Sequence, residues 1–298
     1  MKIPYTKKAL SALDQVSLLK ARGLIIPDDK SAIHTLNHIN YYRLSAYIYP
    51  LLKDKENHIF KDNISFQNII DLYNFDRELR LLFLDAIERI EVSLRTNIIY
   101  VLSLKYDPFW LSNKDFFYIE SKYNTQIAKL KEEFERSDEK FLKHYFAKYK
   151  QEIPPTWISL EIATFGLISL FYQNLKSNKD MKEISNRYGL NHITFTSWLH
   201  TLTYIRNICA HHSRLWNREL GVQPSIPKST GGIWLNKSTT YKNDRIFYVL
   251  SIIIYFLRII NHSDTFIAKF NNLLSNYTMI DLAAMGFPKN WKEEDLFK

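Results

Sequence analysis

The chain has 298 residues, 46 % of them hydrophobic, which is enough for a substantial buried core and excludes intrinsic disorder as its default state. Its formal net charge is +9, and 19 Tyr, 19 Phe and 6 Trp accompany that charge, a composition compatible with nucleic-acid binding. Only 7 Gly and 9 Pro interrupt the chain, so long helices are favoured over a turn-rich β architecture.

The N-terminal part of the sequence predicts a small helical unit. A first helix begins at Thr6 or Ser11 and ends at Gly23, and a second helix follows it. The segment from Tyr41 to Tyr47 then places three tyrosines around one arginine. This group either forms a platform for RNA or packs internally, with the hydroxyls and the guanidinium satisfying one another. The packing interpretation is favoured.

A charged segment over residues 51–65 predicts a connector or a short hairpin. Ser65 is the expected N-cap of a long helix that extends to about Lys105 and carries a continuous apolar stripe. On another face of this helix, Glu88 and Glu91 either act as a carboxylate pair or belong to a solvated surface. The solvated surface is the simpler interpretation, because charged residues along a helix face usually pair within the helix.

The second half of the sequence predicts further helices. Residues 106–153 are highly charged and indicate a solvent-facing helical excursion. A helix then begins at Thr156, and Gly166 within it indicates the close approach of another helix, since Gly costs about 1 kcal/mol relative to Ala there. Asn191 or Thr194 begins the next long helix.

The stretch from Tyr204 to Arg218, Y-I-R-N-I-C-A-H-H-S-R-L-W-N-R, contains the densest group of chemically capable side chains. It lies at the end of an amphipathic helix, where Asn207 and His211 are neighbours one turn apart. Arg206 and His211 are about 140° apart on an ideal helix, so they converge only through the long Arg side chain, a frayed helix end or a second subunit. Arginine suits phosphoryl oxygens and histidine suits proton transfer, so phosphodiester chemistry is one interpretation. Capping and solvation of a helix end is the other.

Arg206-Asn207 followed by His211 fits the R-x4-6-H signature of the HEPN superfamily, and the string R-N-x-C-A-H-H-x-R-L-W-N-R resembles the abortive-infection (Abi) proteins of the AbiD/AbiF type. Other segments agree in order, namely Asn40 to Tyr47, Phe75 to Arg95 and Pro154 to Gly166. The resemblance implies an all-α fold, a HEPN-type helical bundle with a small N-terminal helical extension. It also implies a metal-independent endoribonuclease that acts in phage defence or as a toxin, with the motifs of a homodimer facing one cleft.

On this resemblance Arg206, Asn207 and His211 are the expected catalytic residues. The residues that follow them either contact RNA or fix the helix end; they are Arg214, Trp216, Asn217 and Arg218. Glu88 is expected to support Arg206, and His212 is expected to have a structural, supporting role. The alternative function is a non-catalytic RNA-binding or partner-binding module that an antitoxin RNA or protein regulates.

Three segments are predicted: an N-terminal helical cap over residues 1–60, a bundle over 66–275 that carries the motif, and a C-terminal tail over 276–298. A final helix is predicted from Asp244 to about Asn271. Its apolar run is broken by Ser251 and Arg258 and is shorter than a membrane span, so no membrane partner is expected.

No metal or other cofactor is expected, because His200, Cys209, His211 and His212 lack the spacing of zinc ligands. Neither a G-x-x-x-x-G-K-[ST] loop nor a G-x-G-x-x-G turn occurs, which disfavours nucleotide hydrolysis and dinucleotide redox chemistry. Cys209 is the only cysteine and is expected to be a buried, inert thiol. A single cysteine and the lack of an apolar signal segment favour the cytoplasm.

Overall fold

The computed structural model describes residues 4–6, 8–261 and 265–298. Within them the fold is all-α, as predicted, with twelve α-helices, several short 3-10 turns and one two-stranded antiparallel sheet. The α-helices are α1 Ala12–Ala21, α2 Asp29–His38, α3 Tyr41–Ile48, α4 Phe66–Lys105, α5 Glu120–Arg136, α6 Lys140–Lys148, α7 Thr156–Ile162, α8 Phe165–Gln173, α9 Asn178–Asn186, α10 His192–Ala210, α11 Ile246–Ile260 and α12 Phe266–Asn276. The strands β1 (Leu52–Asp54) and β2 (Ile59–Phe60) form a short hairpin, one of the two alternatives predicted for this segment. No helix in the described ranges is long and apolar enough to cross a membrane.

The chain divides into two compact units. The N-terminal unit comprises Met1–Leu79 with Asn272–Ile280, and the motif unit comprises Arg80–Asn271 with Asp281–Lys298. The division falls within α4, which runs from one unit into the other. The boundaries predicted at residues 60, 66 and 275 stay predictions.

The first helix of the N-terminal unit is defined by its caps. Ser11, and not Thr6, is the N-cap of α1: its Oγ accepts a hydrogen bond from the Asp14 N–H at 3.1 Å, and the Asp14 carboxylate accepts one from the Ser11 N–H at 3.3 Å. This reciprocal capping box satisfies two N–H groups that a helix leaves unpaired. After the helix, Gly23 adopts φ +88°, a left-handed conformation that glycine reaches without steric cost.

The tyrosine-rich segment divides into a buried part and an exposed part. Tyr47 is only 1 % exposed, and its hydroxyl donates a 2.5 Å hydrogen bond to the buried carboxylate of Asp76. Arg43 lies over the ring of Tyr73 at 5.6 Å. The packing interpretation therefore holds for these side chains. It does not hold for Tyr42, which is 85 % exposed.

The start of α4 shows how an amide can replace the acid of a capping box. The Ser65 N–H donates to the Asn68 Oδ1 at 2.8 Å, and the Asn68 N–H donates to the Ser65 Oγ at 3.4 Å. The expected cap at Ser65 is therefore present, although its third helical position carries an amide instead of the usual Glu or Gln.

The core of the motif unit surrounds α10 and α11. Every residue of α11 from Ile246 to Leu257 is buried, and the fully buried Trp198 of α10 meets Tyr255 edge to face at 5.5 Å. A Cβ atom added at Gly166 of α8 would lie 3.4 Å from the Thr203 Cγ2 of α10. The predicted close approach of two helices at this glycine is therefore confirmed.

Two helices predicted as continuous are not. The helix that begins at Thr156 ends at Ile162, because Ala163 is extended and the Thr164 side chain accepts a hydrogen bond from the Leu167 N–H to start α8. The predicted final helix ends at Ile260, where Asn261 adopts an extended φ of −148° and ψ of 104°. Part of that predicted helix, residues 262–264, lies outside the described residues. Side-chain competition for backbone groups is a local effect that hydrophobic periodicity does not reveal.

Two tyrosines of α11 provide a matched test of core energetics. Tyr248 and Tyr255 are each about 1 % exposed. The Tyr255 hydroxyl donates to the Tyr188 carbonyl at 2.8 Å, whereas the Tyr248 hydroxyl has no hydrogen-bond partner among the described residues. Tyr255→Phe is therefore expected to lower the free energy of unfolding by about 1 to 3 kcal/mol, and Tyr248→Phe to leave it unchanged or raise it. Urea unfolding of both variants measures this difference, and an equal loss in both would contradict it.

Candidate functional site

The motif helix α10 ends in a Schellman motif. Its C-cap is His211, and the next residue, His212, has φ +56° in the left-handed region. The His212 N–H donates to the Cys209 carbonyl at 3.1 Å, and the Ser213 N–H donates to the Ile208 carbonyl at 2.9 Å. These two bonds satisfy the last carbonyls of the helix and turn the chain away from its axis. The backbone at His212 therefore has a structural task.

Three polar side chains lie at this helix end. The Arg206 Nη1 donates to the Asn207 Oδ1 at 3.3 Å, and the His211 N–H donates to the Asn207 carbonyl at 2.9 Å. Asn207 and His211 are exposed, and Arg206 is partly buried. The arrangement presents a guanidinium, a carboxamide and an imidazole at the surface, within one turn of the last buried residues of α10.

The charge of Arg206 acts on a half-buried carboxylate of α4. Glu91 accepts a hydrogen bond from the Arg95 Nη2 at 2.9 Å, in an ion pair whose side chains are only 17 % and 12 % exposed. Burial raises the pKa of the Glu91 carboxyl above its ordinary value, although the positive charges of Arg95 and Arg206 oppose that rise. Arg95 is fixed further by a 3.3 Å hydrogen bond to the Ala163 carbonyl. The site thus joins α4, the junction of α7 and α8, and α10.

Glu88 was expected to support Arg206, and that role stays a prediction; Glu91, three residues further along α4, is a carboxylate on whose pKa the charge of Arg206 acts. Glu88 is exposed, and its negative charge acts on Glu91. The sequence shows that Glu91 can pair with Arg95 at i, i+4, yet it does not show which of the two glutamates faces α10. That choice depends on how the helices pack.

The residues that follow the motif form a tight turn. Trp216 is only 2 % exposed, so its indole packs in the core and is not available to stack on a base. Asn217 adopts φ +48°, a left-handed conformation in which asparagine is enriched. The Arg218 Nε donates to the Arg214 carbonyl at 2.7 Å and ties the turn together. Arg214 and Arg218 remain partly exposed, whereas Trp216 has a packing role in place of the predicted contact with RNA.

The imidazoles and the thiol of the motif do not converge. Cys209 is 1 % exposed, whereas His200, His211 and His212 are exposed. In the described ranges no group of three or more His, Cys, Asp or Glu side chains is arranged to hold a metal ion.

Fold and site together define an all-α protein that presents an Arg-Asn-His group at the surface, at the end of α10. The chain belongs to the family of Abi-like proteins, whose model matches residues 34–217. The matched region begins in α2 and includes Glu91, Arg206, Asn207 and His211. Comparisons with curated proteins and with solved structures gave no match.

The raised pKa of Glu91 predicts an effect on stability. Between the unfolded-state pKa, about 4.3, and the higher folded-state pKa, the folded protein binds more protons at this carboxyl than the unfolded chain. The free energy of unfolding therefore falls as pH rises through this window. Glu91→Gln, which resembles the protonated acid, is expected to match the wild type at low pH and to be the more stable protein above the window.

Chemical unfolding across this pH range measures the difference between wild type and Glu91→Gln. Glu88→Gln is the control, because Glu88 is exposed on the same helix. A variant that instead becomes steadily less stable than wild type as pH rises would show that the ion pair with Arg95 outweighs the cost of burying Glu91.

Proposed function

We propose that this Abi-like protein is a metal-independent endoribonuclease of the HEPN type that acts in abortive infection or as a toxin. Family membership supports the role in phage defence. The observation that carries the enzymatic part is the exposed group at the end of α10, in which Arg206 is bonded to Asn207 and His211 follows one turn later. These side chains suit phosphodiester cleavage, and Asn207 and His211 are exposed to an RNA strand.

In this mechanism the 2′-hydroxyl oxygen of the RNA attacks the adjacent phosphorus. The 2′-oxygen loses its proton to an imidazole, the bond from phosphorus to the 5′-oxygen breaks, and the departing 5′-oxygen receives a proton. The products are a 2′,3′-cyclic phosphate and a 5′-hydroxyl. The positive guanidinium of Arg206 stabilises the charge on the phosphoryl oxygens, and the amide of Asn207 orients the reacting groups.

The proposed active form is a homodimer with two motifs at one cleft. Two observations support it: Asn207 and His211 are exposed, and positions 206 and 211 diverge by about 140° around an ideal helix. A dimer supplies two copies of His211, so that one accepts a proton while the other donates one. Analytical ultracentrifugation tests this proposal, and a monomer that cleaves RNA at nanomolar concentration would contradict it.

The glutamate network and the turn after the motif have proposed supporting roles. Glu91 positions Arg206 through its negative charge, and Glu88 adds charge beside it. Arg214 and Arg218, which are partly exposed, contact RNA phosphates, and Asn217 shapes the turn that presents them. An antitoxin RNA or protein restrains the enzyme in the cytoplasm, and RNA is its substrate.

The direct test is to incubate the purified protein with total RNA and to sequence the new ends. New ends are expected with wild type and not with Arg206→Ala or His211→Ala. Expression in cells provides a second measurement, because only the wild type is expected to be toxic. Equal toxicity of all three folded proteins would favour the non-catalytic binding module.

A further inference from the structure

The N-terminal unit contains a cavity of about 800 Å³ that has no part in the proposed cleavage chemistry. It lies among α1, α3 and the β-hairpin, and its apolar floor consists of the buried side chains of Ile48, Leu52 and Phe60. Its volume falls in the range of small-molecule sites. The side chains around this floor determine what it can bind.

Tyrosine rings dominate the walls of the cavity. Tyr42 is 85 % exposed and Tyr49 is 52 % exposed, and both line it. They are seven residues apart in continuous helical geometry, so they lie on the same face, about 10 Å apart along the axis. Two exposed rings on one helix face expose apolar surface to water, and a flat partner that stacks on them removes it. The Nζ of Lys55 lies 4.7 Å from the centroid of the Tyr49 ring.

The polar groups of the cavity are cationic or neutral. Lys8, Arg22 and His58 line it, and the described residues that line it include no carboxylate. The Arg22 Nη1 donates to the Tyr41 hydroxyl at 3.0 Å, which holds this guanidinium at the wall. The nearby hairpin does contain Asp54, but that carboxylate accepts hydrogen bonds from the Glu56 and Asn57 N–H groups within its own turn. The cavity is therefore suited to an anion.

One acceptor at the wall has no donor. The Gln15 side chain lines the cavity, and its Nε2 donates to the Leu10 carbonyl at 3.0 Å. Its Oε1 is buried and has no hydrogen-bond partner among the described residues. A buried acceptor without a partner costs free energy, but this oxygen is sealed from solvent, so a ligand in the cavity does not reach it.

We propose that this cavity binds unpaired nucleotides of single-stranded RNA. Bases stack on Tyr42 and Tyr49, and the cations contact the phosphates. An acidic peptide would satisfy the cations but would not use two exposed rings. Exposed planar rings beside positive charge fit the bases and the phosphates of a nucleotide strand. This site lies outside the Arg-Asn-His group and does not depend on cleavage.

The test measures binding of a short fluorescent RNA strand with 2′-O-methyl sugars to the full chain by anisotropy. Tyr42→Ala is expected to weaken binding about tenfold, whereas Tyr42→Phe, which keeps the ring, stays near wild type. Lys8→Gln is expected to reduce the slope of log affinity against log salt by about 0.7, the value for one phosphate contact on a single strand. Tyr118→Ala is the matched control, because Tyr118 is 75 % exposed in the motif unit.

Further measurements separate this proposal from other ligands and from the proposed ribonuclease. In a protein that already carries His211→Ala, adding Tyr42→Ala is expected to weaken RNA binding by the same factor as it does in the wild type. This result does not depend on whether the protein cleaves RNA. Photo-crosslinks from thiouridine in the strand are expected on the peptide that carries Tyr42. The proposal is overturned if Tyr42→Ala and Tyr118→Ala bind the strand equally well. It is also overturned if a free mononucleotide or an anionic lipid vesicle binds as tightly as the strand and is lost in Tyr42→Ala.

Discussion

Replacing His211 by Ala is expected to lower the rate of RNA cleavage by about 10²- to 10⁴-fold, the usual contribution of a general acid–base group. His211 is an exposed C-cap residue, so its replacement removes an imidazole without leaving a hole in the core. The free energy of unfolding should therefore change little, which circular dichroism and urea unfolding can verify. Cleavage of a labelled RNA at saturating protein measures the rate.

The adjacent His212 provides a closely matched control. It is also exposed, but its backbone occupies the left-handed position of the Schellman motif. His212→Gly is expected to retain cleavage and the helix end, because glycine adopts φ +56° without steric cost. If His212→Gly loses as much activity as His211→Ala while its fold is intact, the assignment of the proton-transfer role to His211 is wrong.

A single 2′-deoxy sugar at the cut site is expected to abolish cleavage there, and DNA should not be cut at all. The proposed mechanism takes its nucleophile from the substrate, because the group at the end of α10 offers an arginine, an amide and an imidazole but no activated hydroxyl, thiol or carboxylate. The one cysteine nearby, Cys209, is buried. Without the 2′-oxygen there is no nucleophile to attack phosphorus, so no cleavage should be detected at that position.

Product ends and chelation give independent measurements of the same mechanism. The upstream fragment is expected to end in a 2′,3′-cyclic phosphate, and excess EDTA is expected to leave the rate unchanged. Arg206→Ala is expected to lower cleavage about 10²- to 10³-fold, as the loss of one transition-state contact does in other enzymes. Normal cleavage at a 2′-deoxy position, or loss of activity in EDTA that added Mg²⁺ restores, would rule out this mechanism.

Several elements of the fold were predictable because their signals are local. Ser11 with Asp14, and Asn191 at the start of α10, satisfy helix N–H groups within their own turn, so the sequence narrowed each start to two candidates, of which the structure has Ser11 and Asn191. The all-α class follows in the same way from few glycines and continuous helical periodicity. The two wrong predictions are breaks in helices whose apolar period continues: the Thr164 side chain starts a new helix, and the backbone is extended at Asn261.

The candidate site was predictable only in part. The sequence places Asn207 and His211 one turn apart, and the structure has them so, with a backbone bond between the two residues. It does not indicate that Trp216 is buried, since the residues next to Trp216 do not distinguish a buried tryptophan from an exposed one. It pointed to Glu88 as the supporting carboxylate, which stays a prediction, and it did not single out Glu91, on whose pKa the charge of Arg206 acts.

By itself, the sequence determined the helical class, most helix starts and the order of polar groups along α10, because those depend on neighbours within about one turn. Only the tertiary structure decided that Glu91 is half-buried while Glu88 is exposed, and that Tyr47 is buried while Tyr42 is exposed. Such choices depend on residues distant in the chain and on the burial that packing imposes on them. Burial raises the pKa of the half-buried Glu91 carboxyl. The Tyr42 ring is accessible to a ligand because packing leaves it exposed.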